Sequence, residues 1–193
     1  AGITLGVAAL SGTVGIMTGP LSWWESQQRL QGWRQTLEMQ GLDASDSLIV
    51  EGDWTVTSGE QGLYRLLEQR PDIEAVFASN DHMALGALHA AHRLSRRVPE
   101  DLSVVGVDNI AEASHLWPPL TTVHQPLRDA GALAVKEIDR LIRRERQPRR
   151  SQEVAPEMTL LMLELMIRDS ARPVPPSEVA SENGVHSAAV AGH

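Results

Sequence analysis

The chain has 193 residues, 17 Lys+Arg against 25 Asp+Glu, a formal charge of −8, 42% hydrophobic residues and no cysteine. That apolar content supports a real core, in one domain or two small lobes, and is not the composition of a disordered chain. The absent cysteine excludes disulfides, a thiol nucleophile and a Cys-type zinc site, and the acidic balance argues against a surface that grips nucleic acid as a whole.

In chain order, the sequence opens Ala1-Gly2-Ile3 with neither an initiator Met nor a signal-peptide pattern, and is expected to be a processed product or a fragment. Thr13 to Met17 is a short strand candidate closed by the turn signal Gly19-Pro20. A helix follows, with Leu30, Trp33 and Leu37 on one face, stopping at Gly41. Ser47 to Val50 is the next strand. Ser58 and Gln61 have the spacing of a capping box, opening a helix that carries Leu63, Leu66 and Leu67 and ends before Pro71. Ile73 to Ala78 is a strand. Asn80-Asp81 then caps an Ala/Leu-rich helix running to about Leu94. Pro99 breaks the chain ahead of Leu102 to Val107, an apolar, β-branched strand of the kind buried inside parallel sheets.

Strands alternating with helices of this length imply βαβ crossovers, and so an α/β fold with a doubly wound parallel sheet covered on both faces. Beyond it, Thr121 to Val123 is a possible strand and Asp129 to Arg144 a helix. Met158 to Ile167 is the longest nearly unbroken apolar run but contains Glu164; it is too short to span a membrane, which takes about 20 residues. Periodicity leaves it as either a strand pair or a buried helix segment. From Ala171 the chain turns to Pro, Ser, Ala and Gly and reads as a disordered tail.

In an open parallel sheet, ligands bind in the crevice beyond the carboxyl ends of the strands. The first strand there delivers Leu21, Ser22, Trp23, Trp24 and Glu25, the second Glu51-Gly52-Asp53-Trp54, the third Ser79-Asn80-Asp81, and the fourth Asp108-Asn109. Tryptophan faces with Asp and Asn groups suit a polyhydroxylated ligand, whose CH faces stack on rings while its hydroxyls need donors and acceptors. Asp and Asn are also ordinary helix caps and turn formers in such places. Catalytic and cofactor signals are weaker. His82, His89 and His92 share a helix without a completing carboxylate. No Gly-x-Gly-x-x-Gly, Walker-type loop or Gly-x-Ser-x-Gly occurs, so neither an enzyme nor a cofactor site is expected. The basic stretch Arg140 to Arg150 lacks interleaved aromatics and reads as a solvated helix end.

Three segments carry a family resemblance: Ala78 to Ala87 (ASNDHMALGA), Val98 to Asp108 (VPEDLSVVGVD) and Pro118 to Gln125 (PPLTTVHQ), supported by Thr18 to Ser22, Arg29 to Trp33 and Glu51 to Trp54. Together they resemble the lactose-repressor (LacI/GalR) family of bacterial transcription regulators, densely from about Thr13 to Gln125 and more faintly to about Arg168. Periplasmic sugar-binding proteins of transport systems share the fold and are the alternative.

The resemblance implies a periplasmic-binding-protein-like fold, here one complete lobe and part of a second. Residues 1–18 and 124–168 would be a remnant of the amino-terminal lobe, 19–123 the carboxy-terminal effector lobe, and 169–193 the tail. It implies a cytoplasmic protein with a sugar or related small-molecule effector in the cleft, contacted by Arg29, Trp54, Asn80, Asp108 and Gln125. It further implies a homodimer formed by the helix after Asp81, through Met83, Leu85 and Leu88. The family's helix-turn-helix headpiece has no counterpart in this sequence, so operator DNA would be bound only through a part not present here. Gly2 to Leu10 resembles the helix before the first strand. Two positions depart from the family: Pro126-Leu127 replaces an acidic residue and an aromatic that closes the cleft, and Asn109 replaces the second aspartate of an Asp-Asp pair.

Overall fold

The computed structural model describes residues 12–145 and 159–172. Six strands form one sheet in the order β2-β1-β3-β4-β5-β6. These are β1 (Thr13–Thr18), β2 (Ile49–Glu51), β3 (Ile73–Ala78), β4 (Ser103–Asp108), β5 (Thr121–His124) and β6 (Glu164–Met166). The first five are parallel, and β6 runs antiparallel to β5. The helices are α1 (Trp24–Met39), α2 (Val56–Gln69), α3 (Asp81–Arg93) and α4 (Leu127–Glu145).

The chain steps one way from β1 to β2 and the other way from β2 past β1 to β3 and β4. Right-handed crossovers then put α1 on one face of the sheet and α2 with α3 on the other. The sheet contributes Ile16, Met17, Val76, Val104 and Val107 to the core; α1 adds Trp33 and Leu37, and α2 adds Leu63 and Leu66. The buried side of α3 is mostly small, with Ala84, Gly86, Ala87, Ala90 and Ala91 beside Met83 and Leu88. This lets its backbone meet that of α2 at a pair of glycines. A Cβ on Gly59 would run into the Met83 backbone, and one on Gly86 into the Val56 carbonyl.

Several sequence readings shift. The helix expected to open at a Ser58–Gln61 box begins earlier, because Thr55 is its cap and accepts from Ser58 N. Ser58 lies inside the first turn, where its hydroxyl donates to Thr55 O and accepts from Asp53 N. The second strand is preceded by a 3-10 turn at Asp46–Leu48. In the Met158–Ile167 run, Glu164–Met166 is the strand β6, and Met158 lies outside the described residues.

The expected lobe boundaries are also displaced. β1 is hydrogen-bonded between β2 and β3 at the heart of the sheet, so residues 13–18 cannot be a remnant of another lobe. β6 extends the same sheet from within 124–168. Nor does the ordered chain stop at 168: Ser170 is buried, its hydroxyl donating to Val104 O and accepting from Thr121 N. The Gly2–Leu10 helix, the tail beyond Arg172 and the basic residues 146–150 lie outside the described residues.

α4 stands apart. Leu127, Val135, Ile138, Leu141 and Ile142 are all exposed on it, an amphipathic helix whose apolar face is not covered by the sheet. Arg140 pairs with Glu137 and Arg143 with Asp139, so these two members of the basic stretch are partnered on the helix surface.

The backbone contact between α2 and α3 generates a prediction. Gly86→Ala forces a methyl against the Val56 carbonyl and should cost about 1–3 kcal/mol, the usual range for overpacking. Thermal unfolding measured by circular dichroism checks it, with Gly131→Ala on α4, where an added Cβ meets nothing within 4 Å, as a control for helix propensity alone.

Candidate functional site

The carboxyl ends of β1 to β5 meet at one edge of the sheet, and the residues there are fixed by short-range geometry. Trp54, three residues beyond β2, adopts φ 71°, a left-handed conformation uncommon for a bulky residue. The Asn80 side chain holds it there. Asn80 Nδ2 donates to Trp54 O at 3.0 Å, while Asn80 Oδ1 caps α3 by accepting from Met83 N at 2.9 Å. The indole lies directly on Gly19, where no Cβ would fit. Across its other contacts, the Arg29 guanidinium sits 5.6 Å from the ring centroid, within cation–π range. Trp23 meets the same ring at 6.1 Å with the planes tilted by 59°.

Facing this aromatic corner is the end of β4. Asp108 and Asn109 both have positive φ, 114° and 55°. The Asp108 carboxylate accepts from Gln125 Nε2 at 2.8 Å. Burial pushes its pKa above the ordinary aspartate value, Arg29 pulls it back, and the nearby Asp81 charge adds to the rise. Arg29 is itself perturbed downward by burial, against the pull of Asp108 and Glu25. A stacking ring, a guanidinium fork, a carboxylate and an amide thus converge on one crevice, in partly desolvated surroundings where hydrogen bonds to a ligand gain strength. Three nearby buried polar atoms, Thr18 Oγ1, Trp54 Nε1 and Ser79 Oγ, have no hydrogen-bond partner among the described residues.

The structure therefore brings together Arg29, Trp54, Asn80, Asp108 and Gln125, as residues at one sheet edge. The capping alternative also holds for part of the set: Asn80 is a helix cap, and Asp53 is a turn former that accepts from Thr55 N and Thr55 Oγ1. Two further residues stand behind the site. Asp81 has no exposed surface; it accepts from Thr122 Oγ1 at 2.6 Å and from Ile110 N at 2.9 Å, and these bonds offset only part of the effect of burial, which leaves its pKa raised. Arg168 donates to Asn109 Oδ1 at 2.7 Å and to Leu120 O at 2.6 Å. Asp81 is among the residues the third strand delivers to this edge, whereas nothing local in the sequence marks Arg168.

The three residues expected at a subunit interface divide. Met83 is 0% exposed, its sulfur packed beside Gly52, and a residue with no accessible surface has nothing to offer a second chain. Leu88 is nearly buried and Leu85 half-buried. The Ala-rich face of α3 packs within the chain, against α2 and the sheet. His89, read as lacking a carboxylate, has one from the neighbouring helix: Glu60 Oε2 lies 3.4 Å from its Nδ1. Among the described residues, no three His, Asp or Glu side chains converge as a metal site, and no helix is long and apolar enough to cross a membrane.

A mostly parallel sheet wound on both faces, with an aromatic ring and a carboxylate at its carboxyl edge, defines an α/β domain of the doubly wound class. Residues 12–171 match the periplasmic binding protein-like domain family. The chain belongs to that family, and the relatives it resembles are LacI-type regulators. It is 36% identical over 158 residues to the HTH-type transcriptional regulator CelR of Thermobifida fusca, covering 81% of this chain and 44% of that protein. A solved CelR–cellobiose complex superposes with a TM-score of 0.72 at 35% identity, over 82% of this chain and 46% of that one. The Lac repressor dimer bound to operator and an anti-inducer gives 0.70 at 31% identity, over 84% and 54%. The chain thus spans about half the length of the regulators it matches.

The site's electrostatics can be checked without a ligand. Because the folded state raises the Asp108 pKa, it binds that proton more tightly than the unfolded chain. Its contribution therefore opposes folding increasingly as pH rises above the unfolded-chain value of 3.8, and is fully unfavourable once the carboxyl is ionised in the folded state as well. Carbon-13 NMR titration of the carboxyl should show a midpoint above 3.8. Arg29→Gln should move it higher still, since the guanidinium is what favours the charged form.

Proposed function

We propose that this chain is the effector-binding and dimerisation part of a LacI-type transcriptional regulator, and that its effector is a sugar. The observation that carries the reading is the Trp54 ring with Arg29 beside its face and the Asp108–Gln125 pair opposite. A pyranose or furanose presents CH groups to the ring and hydroxyls to the guanidinium, carboxylate and amides. Asp108 accepts from a hydroxyl and Arg29 donates to one. Asn80, already occupied by Met83 N and Trp54 O, has one amide N–H left to give. Cellobiose in the CelR complex supports this class of ligand.

The regulatory step is differential binding. An effector that contacts one arrangement of the molecule better than another shifts the population toward it, and through the partner lobe alters the hold on operator DNA. Such couplings typically amount to about 1–3 kcal/mol. Among the described residues the apolar face of α4 is uncovered, which suits it to packing in a second lobe. The transporter-associated sugar-binding alternative has the same fold, but the regulator names of the relatives favour the first reading.

Dimerisation is proposed to use the edge of α3 near Leu85 and Leu88, together with a feature the sequence did not advertise. Trp117 is 94% exposed. It lines a groove of about 400 Å³ with Leu88, His92, Arg96, Val98 and Pro118. A fully exposed tryptophan on a half-apolar groove is the kind of anchor that subunit interfaces bury, and the Lac repressor match is a dimer.

Two experiments test this. In a thermal-shift screen of glucose, ribose and cellobiose on the full-length protein, at least one sugar at 100 times its Kd should stabilise by about 2.7 kcal/mol, and Asp108→Ala should abolish that shift. No stabilisation by any sugar would count against the effector class. For the interface, Trp117→Glu should convert the dimer to monomer in sedimentation at micromolar concentration, whereas Met83→Leu should leave the assembly unchanged.

A further inference from the structure

The segment carrying α4 leaves the sheet after β5 and returns to it as β6. Its two ends are tied to adjacent residues of the site. On the outgoing side, Gln125 Nε2 donates to Asp108 Oδ1 at 2.8 Å. On the returning side, Arg168 Nη2 donates to Asn109 Oδ1 at 2.7 Å. The same guanidinium donates through Nη1 to Leu120 O at 2.6 Å, and the Arg168 backbone exchanges hydrogen bonds with Thr121 Oγ1. Arg168 therefore spans the start of β5 and the loop after β4 with one rigid fork, a geometry that lysine cannot reproduce.

That loop needs holding. Asp108 and Asn109 are consecutive non-glycine residues at positive φ, a conformation that persists only where the surroundings over-determine it. Asp81 and Thr122 supply one restraint: the Thr122 hydroxyl donates to Asp81 and accepts from Asn109 N, and Asp81 accepts from Ile110 N. Arg168 supplies the other, and among the described residues it is the one restraint on the Asn109 side chain that comes from the chain returning from α4.

We propose that Arg168 is a positioning residue for the effector site: it sets Asp108 through Asn109, and it transmits occupancy of the site to β6 and the α4 segment. This rests on the sugar-binding reading above. A ligand hydroxyl donating to Asp108 joins Gln125 on the same carboxylate, and any shift of the loop is carried by Asn109 to Arg168.

The test uses the full-length protein with glucose, ribose and cellobiose, read by calorimetry, with thermal unfolding recorded for every variant. Arg168→Gln and Asn109→Ala should each weaken sugar binding about tenfold, the scale of one lost charge-assisted hydrogen bond. The double variant should lose no more than either single one, because both remove the same link. Arg168→Lys should behave as Arg168→Gln. In the wild type, sugar should slow amide exchange in β6; in Asn109→Ala it should not. Single variants that bind within twofold of the wild type, or effects that multiply in the double variant, would overturn the proposal while leaving the sugar site intact. Should Arg168→Gln fail to fold, Asn109→Ala carries the affinity and exchange tests alone. Wild-type protein that binds none of the three sugars would remove the effector reading, and this proposal with it.

Discussion

A carboxylate with no access to water must find donors, and the choice Asp81 makes organises this end of the molecule. It sits in the first turn of α3, where the helix dipole favours a negative charge, and accepts from the hydroxyl of Thr122 on β5 and the backbone of Ile110 beyond β4. Three elements from distant parts of the chain are thereby pinned to one side chain. Gly106 lies against the Asp81 carboxylate, where a side chain would not fit. Replacing one partner of such a set leaves a buried group unsatisfied, which costs more than the hydrogen bond itself contributes. The positive-φ pair Asp108–Asn109 is the consequence: the strand cannot run on past β4 because its next amides are committed inward.

The crevice follows from the same edge. The reversal of winding direction at β1 opens a gap between helices on opposite faces, and the loops after β1, β2, β3 and β4 all empty into it. Asn80 shows how the site and the fold share parts. Its two amide atoms cap α3 and hold the Trp54 backbone in a left-handed turn, so the orientation of the stacking ring is set by a helix cap. The edge is preorganised, with Trp54 bedded on Gly19 and Asp108 placed by Gln125, which is the source of affinity the proposed sugar site would draw on.

Much of this was legible in the sequence, for identifiable reasons. Ile73–Ala78 matches its expected bounds because a strand buried on both faces is a short apolar run between turn signals, interrupted here only by Glu74 near its start. The site residues could be picked out because topology sends every strand end to one edge. What escaped was long-range. Arg168 and Asn109 are 59 positions apart, and no periodicity links them. Thr55 and Ser58 both fit a helix cap, and only the backbone decides between them. The resemblance puts Met83 at a subunit interface, but in the fold it packs against α2 of the same chain. β1 was assigned to a second lobe although Val14 to Met17 is as apolar as any central strand; pairing on both sides, which sequence does not display, puts it in the middle.

The central claim is that the Trp54–Arg29–Asp108 crevice holds a sugar. The most direct measurement is a crystal structure of the full-length protein with cellobiose at saturating concentration. The account predicts a sugar ring against the Trp54 indole, with hydroxyls bonded to the Asp108 carboxylate and the Arg29 guanidinium. A sugar bound elsewhere, with Arg29 still over an uncovered Trp54 ring and Asp108 bonded to Gln125 alone, would contradict it.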